Sequence, residues 1–372
     1  MSATLGSRVR GLVSTDAGQT VVERLERFEH KFARGMLALL DKAPAALLSR
    51  FALSRDGTRL HPEIQLLLKL RELAGGPDKL TNASVEQARE RMRRDARVHN
   101  RQPIAVGAVH DLTYPGATGP LKARHYVPPR ANLKKPRPLL VFFHGGGFTL
   151  GDLDTHDAPC RALCRELDVH ILSAEYRLAP EHPFPAAIED ARAALRFAQA
   201  HAEQLGADPK RVGVAGDSAG ANLATVITQL AVRESEPAPF LQLLIYPAVD
   251  SAKDWPSIDL FAEGFLLTRA DVHWFRKQYF GSFTDLTDPR ASPLLAPDLS
   301  GLPPTVIVTA GFDPLRDEGE AYAAALKSAG VRTTLHRQPE LVHGFINMGS
   351  LSGAARRALS HVAGLTRGLL QD

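Results

Sequence analysis

A serine hydroxyl becomes a nucleophile only where a base can reach its proton, and Ser218 stands at such a place. It is the centre of Gly216-Asp217-Ser218-Ala219-Gly220. The apolar run Arg211-Val212-Gly213-Val214-Ala215 leads in, and the helix-forming residues 221–226 lead out. G-x-S-x-G between a strand and a helix is a nucleophile elbow. The turn holds serine in a strained backbone conformation, small neighbours let the chain pass closely, and the first amides of the helix point at the same space, ready for negative charge. A glycine-rich turn that binds phosphate is the competing reading. Against it, Gly213, Gly216 and Gly220 miss the dinucleotide spacing G-x-G-x-x-G.

The base must be a histidine held over the same edge, and the base needs an orienting acid. Of the 14 histidines, His343 lies in Leu341-Val342-His343-Gly344-Phe345, after the last predicted strand and before a helix. His182 sits in a turn-rich stretch, and His144 belongs to a glycine loop. The acid should follow a strand and precede the histidine. Asp313 does so in Thr305-Val306-Ile307-Val308-Thr309-Ala310-Gly311-Phe312-Asp313-Pro314, although it could equally cap the helix that Pro314 starts. Asp317, one turn on, is the rival. Strand-end residues are held more rigidly, which favours Asp313. The resulting order is Ser218, Asp313, His343.

Attack at a carbonyl creates an oxyanion that donors must stabilise. His144-Gly145-Gly146-Gly147-Phe148 follows the apolar run ending at Phe143. Consecutive glycines let backbone amides turn inward without side-chain obstruction. Gly145 and Gly146 are expected to donate from one side and Ala219 from the other. His156, Cys160 and Cys164 share a stripe at helical spacing that could in principle hold a soft metal. No fourth ligand is apparent, and buried small side chains on a core helix is the better reading.

These residues need a frame. Residues 1–100 read as helical: residues 21–28 and 36–40 carry apolar positions at helical spacing. Further helices start at Pro62 and near Ser84, where Ser84 and Gln87 form a capping box. Beyond about residue 105, short apolar runs alternate with helical segments. The runs are 138–143, 170–176, 211–214, 241–246 and 305–309, with 333–337 as an edge strand. Near-continuous apolar strands separated by helices imply a mostly parallel sheet covered on both faces, with function at the carboxyl ends of the strands. Residues 255–283 interrupt the alternation and hold both tryptophans with Phe261, Phe265, Phe275, Tyr279, Phe280 and Phe283. These aromatics either glue the insert to the N-terminal helices or wall the site, and both could hold for different residues.

The 372-residue chain suits a large α/β domain with an added piece. Its net charge of +4 is mildly basic, and acids interrupt the arginine-rich residues 89–97, which reads as a solvated helix face and not a nucleic-acid site. No run of about 18 apolar residues marks a membrane span. Charges recur from Arg8 through Arg34, which argues against export and for the cytoplasm. Two cysteines one helical turn apart close no useful disulfide loop.

The sequence resembles the hormone-sensitive-lipase-like family of α/β-hydrolases, in its bacterial esterase branch. His144-Gly145-Gly146-Gly147-Phe148 matches its oxyanion motif, Gly216-Asp217-Ser218-Ala219-Gly220-Ala221-Asn222 its elbow, and residues 176–187 a long signature between them. Asp313-Pro314-Leu315 and His343-Gly344-Phe345 match its acid and base positions. The likeness covers about residues 60–372. It implies a mostly parallel sheet with helices on both faces and a helical cap. The cap would be built from residues 1–100 and from residues 250–292, the latter inserted in a catalytic domain of residues 101–372. It also implies hydrolysis of short- to medium-chain carboxylic esters through an acyl-enzyme, with no metal or organic cofactor, and a homodimer. Lactone, amide or carbamate hydrolysis by the same triad stays open, as does a non-catalytic binding protein like the gibberellin-receptor relatives. Those lack the catalytic histidine, which His343 supplies here. Residues 1–55 exceed the usual cap.

Overall fold

The computed structural model describes residues 53–73, 80–99, 103–131 and 135–370. The helical runs expected at residues 21–28 and 36–40 lie outside them. A short ribbon of β1 (Ser54–Arg55) and β2 (Thr58–Arg59) precedes helices α1 (Pro62–Leu73) and α2 (Val85–His99). The expected capping box forms: Gln87 N–H donates to Ser84 Oγ at 3.2 Å and Ser84 N–H to Gln87 Oε1 at 3.0 Å. The arginine-rich face of α2 docks inward in part. Arg89 forks onto Glu181 and bonds the carbonyls of Thr149 and Ala179, and Arg93 pairs with Asp152.

Eight strands form one sheet in the order β10-β9-β8-β7-β5-β6-β4-β3. They are β3 (Ala108–Pro115), β4 (Pro120–Val127), β5 (Arg137–Phe143), β6 (His170–Ala174), β7 (Ala207–Asp217), β8 (Gln242–Ile245), β9 (Thr305–Phe312) and β10 (Thr333–Val342). Six strands run parallel from β6 to β10. β4 pairs antiparallel with both β3 and β6. The hairpin β3–β4 has no counterpart in the runs picked out by sequence. Polar and partly exposed residues (His110, Asp111, Lys122, Arg124) interrupt its apolar ones, so no apolar run announces it.

Side-chain alternation along the central strands feeds two cores. Leu139, Val141 and Phe143 of β5 pack on one face with Val214, Leu244 and Ile307. Helices α4 (Ala186–His201), α5 (Ala219–Arg233) and α8 (Arg316–Ser328) cover that face. Leu140 and Phe142 join Ala215, Leu243 and Val308 on the other, under α3 (Asp157–Leu167) and α9 (Gly353–Leu370). Each fully buried leucine or phenylalanine here contributes roughly 1.5–3 kcal/mol of transfer free energy. Burial on both faces explains why β5 reads as an unbroken apolar run. Cys160 and Cys164 sit within the second core, and burial pushes the Cys164 thiol up to about 12.

Between β8 and β9 the chain leaves the sheet and forms α6 (Pro256–Leu260) and α7 (Arg269–Phe280). A complete capping box at Thr268 and Asp271 starts α7. The N-terminal turn Leu80–Asn82 lies against α7.

Candidate active site

β7 ends at Asp217 and α5 begins at Ala219, so one residue makes the whole turn. Ser218 takes φ 55° and ψ −119°, a region L-residues rarely adopt. The turn is held by its own surroundings: Ser218 N–H donates to the Ile245 carbonyl at 2.9 Å, and its carbonyl accepts from Asn222 N–H. Gly220 must be glycine, because a Cβ there would strike the Phe143 carbonyl of β5. That close approach draws the elbow against the start of the glycine loop.

The fold brings Ser218, His343 and Asp313 together. His343 Nε2 lies 3.0 Å from Ser218 Oγ, and His343 Nδ1 lies 2.8 Å from Asp313 Oδ2. Asp313 is fully buried just past the end of β9, and its Oδ1 accepts the Leu315 N–H at 2.8 Å. With Nδ1–H donating to the carboxylate, Nε2 is left to accept the serine proton, the tautomer that the network dictates. The Tyr246 ring backs the imidazole at 4.4 Å. Asp317, the rival acid, points elsewhere: its carboxylate accepts the Ser257 N–H at 2.9 Å and pairs with Arg316. His182 makes a turn bond from its backbone to the Leu178 carbonyl.

One expected oxyanion donor is corrected. The Gly145 N–H is already committed, donating to Asp217 Oδ1 at 2.8 Å. Among the described residues, the N–H groups of Gly146, Gly147 and Ala219 have no acceptor. Gly146 and Gly147 have φ of 119° and 59°, backbone that side-chain-bearing residues rarely adopt, and these turn their amides away from the ordinary course of a loop. The donor set available to an oxyanion is therefore Gly146, Gly147 and Ala219. His144 anchors the loop from below. Its ring stacks on Tyr176 at 4.4 Å, its Nδ1–H donates to the Gly145 carbonyl, and burial with a neighbouring His156 lowers its pKa to about 4.

Sequence reasoning missed the residues under the site. Asp217 is buried, and burial pushes its carboxyl up; His156 and the Gly145 N–H outweigh this and hold it below the usual range. His156 belongs to this network, 3.3 Å from Asp217 Oδ1, and not to a metal stripe with the cysteines. The one available signal was position, since Asp217 immediately precedes the nucleophile. The insert's aromatics Phe261, Phe265 and Tyr279 pack on the catalytic domain and not, as one of the two readings had it, on the N-terminal helices. Phe261 and Phe265 pack on Phe312, and Tyr279 stacks on Phe148 at 3.7 Å, fastening the insert to the strand ends and the glycine loop. Phe275 lies directly on Gly147, where any Cβ would collide with its ring.

A single-residue elbow on a mostly parallel sheet, faced by a carboxylate–imidazole pair, defines an α/β-hydrolase architecture. The chain belongs to the α/β-hydrolase fold family, whose description matches residues 140–347. It is 49% identical to the carboxylic ester hydrolase LipN of Mycobacterium tuberculosis, over 81% of this chain and 80% of that protein. It is 39% identical to an ethyl acetate hydrolase of Pseudomonas putida, over 69% of this chain and 81% of the relative. An ester hydrolase from the Lake Arreo metagenome, solved with a bipyridine phosphonate derivative, superposes with a TM-score of 0.81 at 39% identity. That match covers 84% of this chain and all of the other. These relatives accord with the hormone-sensitive-lipase-like esterases. No described helix is long and apolar enough to cross a membrane.

Proposed function

We propose that the protein is a serine carboxylesterase with Ser218 as nucleophile, His343 as general base and then acid, and Asp313 as the orienting carboxylate. One observation carries the reading: the unbroken line Asp313–His343–Ser218, at 2.8 and 3.0 Å. Ser218 Oγ attacks the ester carbonyl carbon while His343 Nε2 takes its proton. The carbonyl electrons move onto oxygen, which the amides of Gly146, Gly147 and Ala219 receive. As the intermediate collapses, His343 returns the proton to the leaving alcohol and an acyl-enzyme remains. Water, deprotonated by His343, then repeats the cycle and releases the acid. Asp313 keeps Nδ1 protonated throughout and balances the imidazolium charge.

Residues 1–100 contribute to a cap, completed by residues 250–292 inserted in a catalytic domain spanning 101–372. The contact of the Leu80–Asn82 turn with α7 supports this division. Small esters with short to medium acyl chains are the substrates. The resemblance supports that range, as does Phe275 lying on the glycine loop. A homodimer and a cytoplasmic location rest on the resemblance and on the charges between Arg8 and Arg34. Sedimentation tests the first.

Purified Ser218→Ala is expected to lose hydrolysis of p-nitrophenyl acetate by roughly a million-fold, with no covalent label from a fluorophosphonate probe. Retained activity would remove the assignment. Rates across p-nitrophenyl esters of increasing acyl length should peak below the long-chain range. Matched amides and lactones should be poorer substrates.

A further inference from the structure

The molecule holds a second carboxylate–imidazole pair, and the reaction described above does not use it. Asp217 Oδ1 accepts the Gly145 N–H at 2.8 Å and faces His156 Nε2 at 3.3 Å. Asp217 Oδ2 accepts the Tyr246 hydroxyl at 3.2 Å, and the Tyr246 ring backs His343. His156 is fully buried, with Nδ1 3.0 Å from Thr155 Oγ1. Its Nε2 also lies 3.4 Å from the Asn347 amide, in the turn that follows His343. This one buried carboxylate therefore touches the glycine loop, neighbours the nucleophile along the chain, and braces the ring behind the base.

Two physical consequences follow. Gly145 is the entry to the loop, so the direction of its N–H sets the direction of the next two amides. The Tyr246 hydroxyl holds Oδ2, and His156, facing Oδ1 from beside the Gly145 N–H, is a third contact that keeps Oδ1 on that amide. Moreover, a buried negative charge beneath an oxyanion opposes the charge developing there, and the His156 imidazole facing it and the hydrogen bond from Tyr246 disperse it. Both effects act on the transition state more than on bound ester.

We propose that His156 is a positioning residue of the reaction: through Asp217 it fixes the Gly145 amide, and with it the aim of Gly146 and Gly147 at the oxyanion. This rests on the reading of Ser218 and the glycine amides given under the proposed function. His156→Leu removes the donor, His156→Asn is too short to reach Asp217, and His156→Gln places an amide N–H near the lost Nε2.

The experiment measures kcat and KM on p-nitrophenyl acetate, and the inhibition constant of a trifluoromethyl ketone, which forms a reversible tetrahedral adduct. For His156→Leu and His156→Asn, kcat should fall about 10- to 100-fold, less than the full loss of a donor, with KM within about threefold. The ketone should weaken by the same factor, and His156→Gln should recover kcat to within about fivefold of wild type. Three results would overturn the proposal: kcat within threefold of wild type in the shortened variant, a fall in kcat with unchanged ketone binding, or glutamine no better than leucine. If the leucine variant fails to fold by its melting curve, the asparagine and glutamine pair decides alone. Ser218→Ala, measured alongside, separates the two levels. An active Ser218→Ala defeats the underlying reading; an inactive one with a flat series at 156 defeats only the role of His156.

Discussion

Two Asp–His pairs lie a few ångströms apart in this protein and have different fates. In the upper pair, His343 Nε2 faces a hydroxyl, Ser218 Oγ. In the lower pair, His156 Nε2 faces the carboxylate itself, and its other nitrogen meets Thr155. The chemistry of the side chains is the same. What differs is which partner each imidazole is left to meet, and that is decided by whether the histidine sits at a strand end or beneath the sheet edge. The upper arrangement can pass a proton to and from substrate. The lower one can only hold geometry.

The largest expected effects come from breaking the upper pair. His343→Ala should lower kcat on the order of a million-fold, and Asp313→Asn about ten-thousand-fold through the wrong tautomer. Steady-state rates on p-nitrophenyl acetate, with melting curves to show intact folding, check both. A loss from Asp313→Asn no greater than from Asp317→Asn would reverse the choice of acid.

Gly147→Ala probes the loop that the lower pair supports. Its φ of 59° strains an alanine and its Cβ would meet Phe275, so kcat should drop by about 100-fold or more. Adding Phe275→Ala should recover part of that loss. No recovery would mean that backbone strain alone, and not the cap ring, sets the requirement for glycine.

Buried ionisable groups without an opposite partner sharpen the contrast further. Glu318 is buried, with Oε1 accepting the Val249 and Asp250 N–H groups, and burial pushes its pKa up to about 8. A raised folded-state value means its contribution is whole below the ordinary value near 4.5 and is lost as pH rises through 8. Glu318→Gln should therefore flatten the decline in melting temperature between pH 6 and 9, by a few degrees on the scale of about 2–4 °C per kcal/mol.

The opposite sign is expected at His125, which meets His170 at 2.9 Å and is driven down to about 3 by burial and that neighbour. Its contribution is whole above the ordinary value near 6.5 and is lost as pH falls toward 3. His125→Gln should soften the loss of melting temperature between pH 7 and 5, with His170 limiting the gain. An unchanged acid slope would remove the pair as its cause.

Much of this was legible in the chain. The apolar runs of β5 to β9 announced a parallel sheet because both of their faces are buried. Ser218, Asp313 and His343 were legible because each stands where a strand ends and the backbone must turn. The hairpin β3–β4 was not, since its exposed polar residues carry no apolar run. Gly145 was misjudged for a different reason. A glycine triplet shows which amides can turn inward, but the carboxylate that captures one of them comes from Asp217, far along the chain. His156 was hidden by its spacing from Cys160 and Cys164. The helix starts only at Asp157, so the stripe did not include it.

The elbow at Ser218 has a stereochemical consequence. Hydroxyl and Ala219 N–H sit on adjoining residues of one rigid turn, so a carbonyl that meets both has its carbon and oxygen fixed in space. The alkoxy oxygen must face His343 to receive its proton, which sets the acyl side as well. Discrimination between mirror-image esters must then reside in the walls around the acyl and alkoxy groups, and redesign of enantioselectivity belongs there, with the turn left untouched.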